Sequence, residues 1–220
     1  MLNFVLAESA LELVPKEIRK LPAAASDARR RQKDASEILL DRSFHHAAMA
    51  RLKDSEKRGR PDLVHVTLLG VTGTPLYLEG MVRAFVHTYD DLMLEFAEKT
   101  RIPKNYLRFR GLMEEALAER PKSGLIRVYP MKVEELARKI GSDLVVGLSV
   151  QGKQLRLEEL ALLAASAKEP IVLVGGFPHG HFTPETISVC NQLIRIHARP
   201  LEAHVVASRL LYEVEKLRTD

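Results

Sequence analysis

The chain has one cysteine, Cys190, among 220 residues, so an internal disulfide is excluded and a reducing compartment fits. No apolar stretch approaches the ~20 residues that a membrane-crossing helix needs, which leaves no membrane partner to expect. Met1 to Val14 has no basic start ahead of its apolar residues, so no export signal is expected and the cytoplasm is the expected location. Strong charge is missing too: a formal net charge of +4 permits a nucleic-acid partner without requiring one. No glycine loop runs straight into a helix N-terminus, which weakens the case for a nucleotide-binding α/β protein. What is present is 46% hydrophobic residues, enough for one good core, or one core plus a smaller appendage.

The chain is organised around Pro170 to Phe182. The apolar run Ile171, Val172, Leu173, Val174 predicts a buried strand, and it empties into Gly175, Gly176, Phe177, Pro178, His179, Gly180. Three glycines remove Cβ atoms where backbone groups could approach a flat ligand, and Pro178 stiffens the turn. A tight strand-to-helix turn without ligand is the other reading of this segment alone. The next good helix start is Thr183-Pro184-Glu185.

In chain order, Leu2 to Ala7 reads as a first strand. Residues 16–33 are basic and alanine-rich, with Arg29, Arg30 and Arg31 in a row, and read as a solvated helix or loop. Phe44, Ala48 and Leu52 are spaced four apart as an amphipathic helix requires. His45 and His46 point to different helix faces, no cysteine assists them, and His179 and His181 lie elsewhere, so no metal site is expected. A helix begins near Pro61, with Leu63, Val66, Leu69 and Gly70 suggesting its buried face. Residues 82–87 and 92–97 form a hairpin around Thr88 to Asp91. Pro103 opens a further helix, which would place Lys104 and Arg108 on one face with Arg101 close by. Cations at a helix N-terminus oppose its macrodipole, so three of them there point to an anionic partner.

The second half alternates. Strands at 125–129, 144–150, 171–174 and 193–196 are separated by helices at 133–140, 157–165 and 184–192, and a helix from Pro200 to Leu217 closes the chain. This predicts an α/β protein with a mainly parallel sheet. Gly147-Leu148-Ser149, the glycine-rich loop and Ile196 to Leu201 would gather on one sheet edge, where such folds bind ligands. The last helix is apolar on two sides, which suits either a dimer contact or burial between sheet and neighbouring helix.

One ordered set of residues is specific: Leu40-Asp41-Arg42-Ser43, His45-His46, Ala48-Met49, Arg60-Pro61-Asp62, His87-Thr88, Arg101-Ile102-Pro103, Arg108-Phe109, Gly111-Leu112-Met113 and Val174 to Gly180. Together they resemble the pseudouridine N1-specific methyltransferases of small-subunit ribosomal RNA, ribosome-biogenesis proteins of the SPOUT superfamily. The resemblance spans nearly the whole chain, and the short N-terminus and compact length resemble archaeal members.

The resemblance implies one SPOUT-type domain over 1–220 with a C-terminal trefoil knot, a basic insertion at about 16–60 and a hairpin extension at about 82–97. It also implies an obligate homodimer, S-adenosylmethionine as methyl donor, small-subunit rRNA as substrate, and ribosomal proteins or assembly factors as possible partners. By position, the donor site falls on Leu148, Gly175, Gly180, Ile196, His197, Ala198, Arg199, Pro200 and Leu201. RNA contacts fall on Arg60, Asp62, Arg101, Lys104 and Arg108, where Lys104 keeps the charge of an arginine without its bidentate fork. Asp62 is the candidate to orient or accept the N1 proton, and bracing the Arg60 turn is its alternative role. A non-catalytic rRNA-binding assembly factor is the alternative function, disfavoured because Gly175 and Gly180 are both present.

Overall fold

The computed structural model of the chain describes residues 1–118 and 124–219. Seven strands form one sheet: β1 (Leu2–Ser9), β2 (Val82–Thr88), β3 (Leu92–Phe96), β4 (Ile126–Pro130), β5 (Leu144–Gln154), β6 (Pro170–Gly175) and β7 (Gln192–Arg195). Their order across the sheet is β4-β3-β2-β1-β6-β5-β7. β1 pairs in parallel with β2 and β6, and β5 with β6 and β7, whereas β3 is antiparallel to both neighbours. The sheet is therefore mainly parallel, and the expected hairpin is its β2–β3 corner. The helices are α1 (Pro22–Arg30), α2 (Arg42–Met49), α3 (Pro61–Thr72), α4 (Pro75–Leu78), α5 (Tyr106–Leu117), α6 (Val133–Ile140), α7 (Leu157–Ser166), α8 (Pro184–Val189) and α9 (Ala203–Thr219).

Alternate strand residues point to opposite faces, so the central strands divide their side chains between two cores. Phe4 and Leu6 of β1, with Val172 and Val174 of β6, join a large cluster closed by Leu68 of α3, Phe109 of α5, Leu160 of α7 and Leu210 of α9. Val5, Ala7, Ile171 and Leu173 join a second, with Val133 and Leu136 of α6 against it. The result is a helix–sheet–helix sandwich whose central strands are buried on both sides. A third cluster, including Val14, Ile18, Ala28, Leu40 and Met49, lies within residues 14–52.

Several local expectations shift. In α2 the buried face is His45, Ala48 and Met49, while Phe44 is 38% exposed because Arg30 and Arg110 lie against its ring at the surface. In α3 Val66 is 45% exposed and Val64, Leu68 and Val71 are buried instead, since α5 and α9 cover this helix from two directions. The stretch 16–33 is not simply solvated: α1 buries Ala24, Asp27 and Ala28, and Arg31 is only 13% exposed beside the buried carboxylate of Glu114. α5 starts at Tyr106 and not near Pro103, because the Asn105 side chain caps it by accepting from Arg108 N–H. Arg101 and Lys104 therefore precede the helix, and the dipole argument holds for Arg108 alone. α8 ends at Val189, since Asn191 peels away to exchange hydrogen bonds with the Val145 backbone. β5 runs on to Gln154 and α9 begins only at Ala203, leaving 196–202 as loop.

Two buried histidines make stability depend on pH. His45 accepts from Asp41 N–H at Nδ1 (3.0 Å) and turns Nε2 toward Asp27, 3.5 Å away. His87 accepts from Glu8 N–H at Nδ1 and meets Asp91 at Nε2 (3.0 Å). Burial pulls both below the ordinary value of 6.5, outweighing the nearby carboxylates. The folded state thus binds fewer protons than the unfolded one just below pH 6.5, so their contribution is present above that pH and lost as pH falls through the lowered values. Thermal melts taken across this window are expected to show Tm falling on the acid side. A flat Tm would mean that both rings accept a proton in place.

Candidate functional site

At the carboxyl edge of β5, β6 and β7 three chain segments enclose a cavity of about 320 Å³. Leu148 and Ser149 come from β5, Gly175 and Phe177 to Phe182 from the end of β6 and the loop after it, and Ile196, His197, Arg199, Pro200 and Leu201 from the loop before α9. Val174, Ile194 and Val206 add apolar wall. Of the nine positions expected for the donor, all but Ala198 line this cavity. Burial pushes the Cys190 thiol up to about 11, against formation of the thiolate.

The glycine-rich loop is pinned at its entrance. Gly176 donates to Ala7 O and accepts from Ala10 N–H, both at 2.8 Å, which clamps the loop to the end of β1. A Cβ on Gly176 would stand 2.8 Å from Ser9 Cα, so no other residue fits this close approach. Gly180 has φ +98°, a conformation that side-chain-bearing residues avoid. At the far end Thr183 caps α8 through Thr186 N–H, as the Thr-Pro-Glu sequence suggested.

The Arg60 turn lies beside this edge. Arg60 N–H donates to Ala10 O at 3.1 Å, on the same residue that holds Gly176. The Arg60 guanidinium grips Asp62 bidentately at 2.8 and 2.9 Å. Partial burial pushes the Asp62 carboxyl up, but the Arg60 hydrogen bonds and charge more than offset this and hold it below the usual aspartate range. Glu202, next to the cavity loop, adds to the negative field on Arg60. The start of α5 is tied to the same region: Tyr106 donates to Asp41 at 2.5 Å and His65 meets Pro103 O at 2.7 Å. Burial, Asp41 and then Asp62 push the Tyr106 hydroxyl far up, so it stays a donor. Arg101, Lys104 and Arg108 are exposed, and among the described residues no carboxylate pairs with them.

Comparison with known proteins agrees over the full length. The model of the EMG1/NEP1 methyltransferase family matches residues 4–215. The ribosomal RNA small subunit methyltransferase Nep1 of Staphylothermus marinus is 41% identical, covering 98% of this chain and 96% of that protein. The protein of the same name from Pyrobaculum neutrophilum is 42% identical over 96% of each. Among solved structures, Archaeoglobus fulgidus Nep1 bound to S-adenosylhomocysteine matches with a TM-score of 0.87 at 35% identity, covering 99% of this chain and 98% of that one. The chain belongs to the EMG1/NEP1 methyltransferase family. Its sheet is the mainly parallel SPOUT-type sheet that the resemblance implied.

In this EMG1/NEP1 chain, the sequence pattern missed a polar network around the cavity's outer side. Glu8, at φ 50°, accepts from Lys57 Nζ (2.7 Å), Thr183 N–H (2.7 Å) and Thr183 Oγ1 (2.9 Å). Glu12 takes two hydrogen bonds from Arg58, at 2.7 and 2.5 Å, in a buried pair. Asp41 and Tyr106 form a third tie. No local spacing announces these partners, which are 46 to 175 residues apart. Here the helix caps Asp41, Thr183 and Asn105 carry a recognisable local signal.

Proposed function

We propose that the cavity holds S-adenosylmethionine and that the chain transfers its methyl group to N1 of a pseudouridine in small-subunit ribosomal RNA. It acts in the cytoplasm as a homodimer during ribosome biogenesis, with a trefoil knot shaping the C-terminal loops. The cavity carries the proposal: the glycine-containing loop lines it, it sits at the carboxyl edge of parallel strands, and it has eight of the nine expected donor positions on its wall. Support comes from the Archaeoglobus fulgidus protein, which holds S-adenosylhomocysteine, the product left when this donor gives up its methyl group.

The bound donor supplies an electrophilic methyl on a sulfonium, and the remaining work is to aim. Holding two reactants at near-attack distance accounts for a large part of the acceleration in such a displacement. Leu148, Gly175 and Gly180, with 196–201, position the donor in this proposal. Arg60, Arg101, Lys104 and Arg108 hold the RNA backbone, so that a flipped or single-stranded base presents its edge. Asp62 fixes the Arg60 guanidinium. In this proposal the carboxylate, held below its ordinary range by Arg60, also orients the N1–H, and the proton is lost to solvent as the N1–methyl bond forms.

Calorimetry with S-adenosylhomocysteine tests the donor site: saturable binding is expected, and no binding by the folded protein would overturn the proposal. Filter binding at several salt concentrations tests the RNA face. Arg101→Ala and Arg108→Ala should each flatten the salt dependence of RNA affinity by about one unit of slope while leaving donor affinity unchanged. An unchanged double variant would place the RNA elsewhere.

A further inference from the structure

We propose that Lys57, supplied by the insertion, is the positioning residue of the donor loop 177–182. The inference rests on the donor-site proposal above. Among the described residues, no hydrogen bond ties residues 177–182 to the rest of the chain. A six-residue stretch that forms much of the cavity wall is therefore held by side-chain packing, by Phe177 and Phe182 in the second core cluster on one side and by Lys57 on the other. Its Nζ stands 4.4 Å from the centre of the Phe177 ring. Its stem runs past Gly180, where a Cβ would meet Lys57 Cε at 3.2 Å. Through Glu8 it also reaches Thr183, the first residue after the loop. Phe177 in turn packs edge-on against Phe182, with ring centroids 5.7 Å apart. One cation thus touches the beginning and middle of the loop and, by way of Glu8, its end.

Lys57 is itself held rigidly. It closes the 3-10 turn Ser55–Lys57, with its N–H on Asp54 O at 2.9 Å, and Asp54 is fixed by the Tyr89 hydroxyl at 2.9 Å. The next residue, Arg58, is locked to the buried Glu12. Glu8 is held in a left-handed conformation that survives only when its surroundings over-determine it. Lys57 is absent from the cavity wall, and an unpaired cation next to a sulfonium would repel it. The Glu8 carboxylate neutralises that charge, so Lys57 acts on the donor only by holding the loop.

The test is calorimetry with S-adenosylhomocysteine on the full chain, with steady-state kinetics alongside. Lys57→Met is expected to weaken binding about tenfold and to raise KM for the donor with little change in kcat. Lys57→Arg should stay near wild type. Because Lys57→Met leaves Glu8 buried without its cation, the double variant Glu8→Gln with Lys57→Met should regain melting temperature yet still bind weakly. Wild-type affinity in the folded Lys57→Met protein, or in the double variant if the single one does not fold, would overturn the proposal. So would a loss confined to kcat. Failure of the wild type to bind would instead overturn the donor site itself.

Discussion

An RNA loop carrying uridine is expected to receive no methyl group from this protein, while the identical loop carrying pseudouridine is modified. The difference is covalent. Uridine N1 is the glycosidic nitrogen, bonded to ribose and without a proton to lose. Pseudouridine is joined through carbon, so its N1 carries a hydrogen and stands free at the base edge. Contacts with the phosphates by Arg60, Arg101, Lys104 and Arg108 would be the same for both loops, because phosphate contacts carry no base information directly. Binding should therefore change little while transfer is lost. Mass spectrometry of the two RNAs after incubation with labelled donor measures this directly, and equal labelling would assign the chain a different transfer.

Gly180→Val is expected to weaken donor binding by ten- to a hundredfold or more while the protein remains folded. The residue sits at φ +98°, where a β-branched side chain is strained by about 1 to 3 kcal/mol. The added atoms would also press on the Lys57 stem from the loop side. Nothing in the sheet depends on this position, since Gly180 lies on the cavity wall beyond the end of β6. Strain and displacement both fall on the loop, so affinity should drop by ten- to a hundredfold or more. Calorimetry paired with a thermal melt separates the outcomes. A collapse of Tm equal to the loss of binding would show that the glycine serves the fold.

The alternation of the second half was legible because each strand is a short apolar run and each helix a separate amphipathic one. Strands buried on both faces still differ enough from helices of ten residues to be told apart. The cavity was legible for a related reason: loops after parallel strands must emerge on one edge. Boundaries were less so. Pro103 suits a first helical turn, yet the Asn105 side chain offered a better cap two residues later, and the helix took it. Phe44 and Val66 were misplaced because helix periodicity marks an apolar stripe without saying how many neighbours cover it. The Glu8, Lys57 and Thr183 cluster was invisible, since its members stand 49 and 175 residues apart in the chain and meet only in the folded structure.

The buried carboxylate of Glu114 also bears on how the protein can be taken apart. It is 1% exposed on α5, yet its partners are Arg31 (2.5 Å), Lys33 (2.7 Å) and the Leu39 amide (3.1 Å), all from residues 31–39. Removing that segment would strand a charge inside the body at a cost of about 3 to 5 kcal/mol, a large share of what a domain has to spare. The segment is therefore no graft that could be excised or swapped between relatives as a cassette. Any shortened or chimaeric version has to carry α5 along with it, or exchange Glu114 for an apolar residue in the same step.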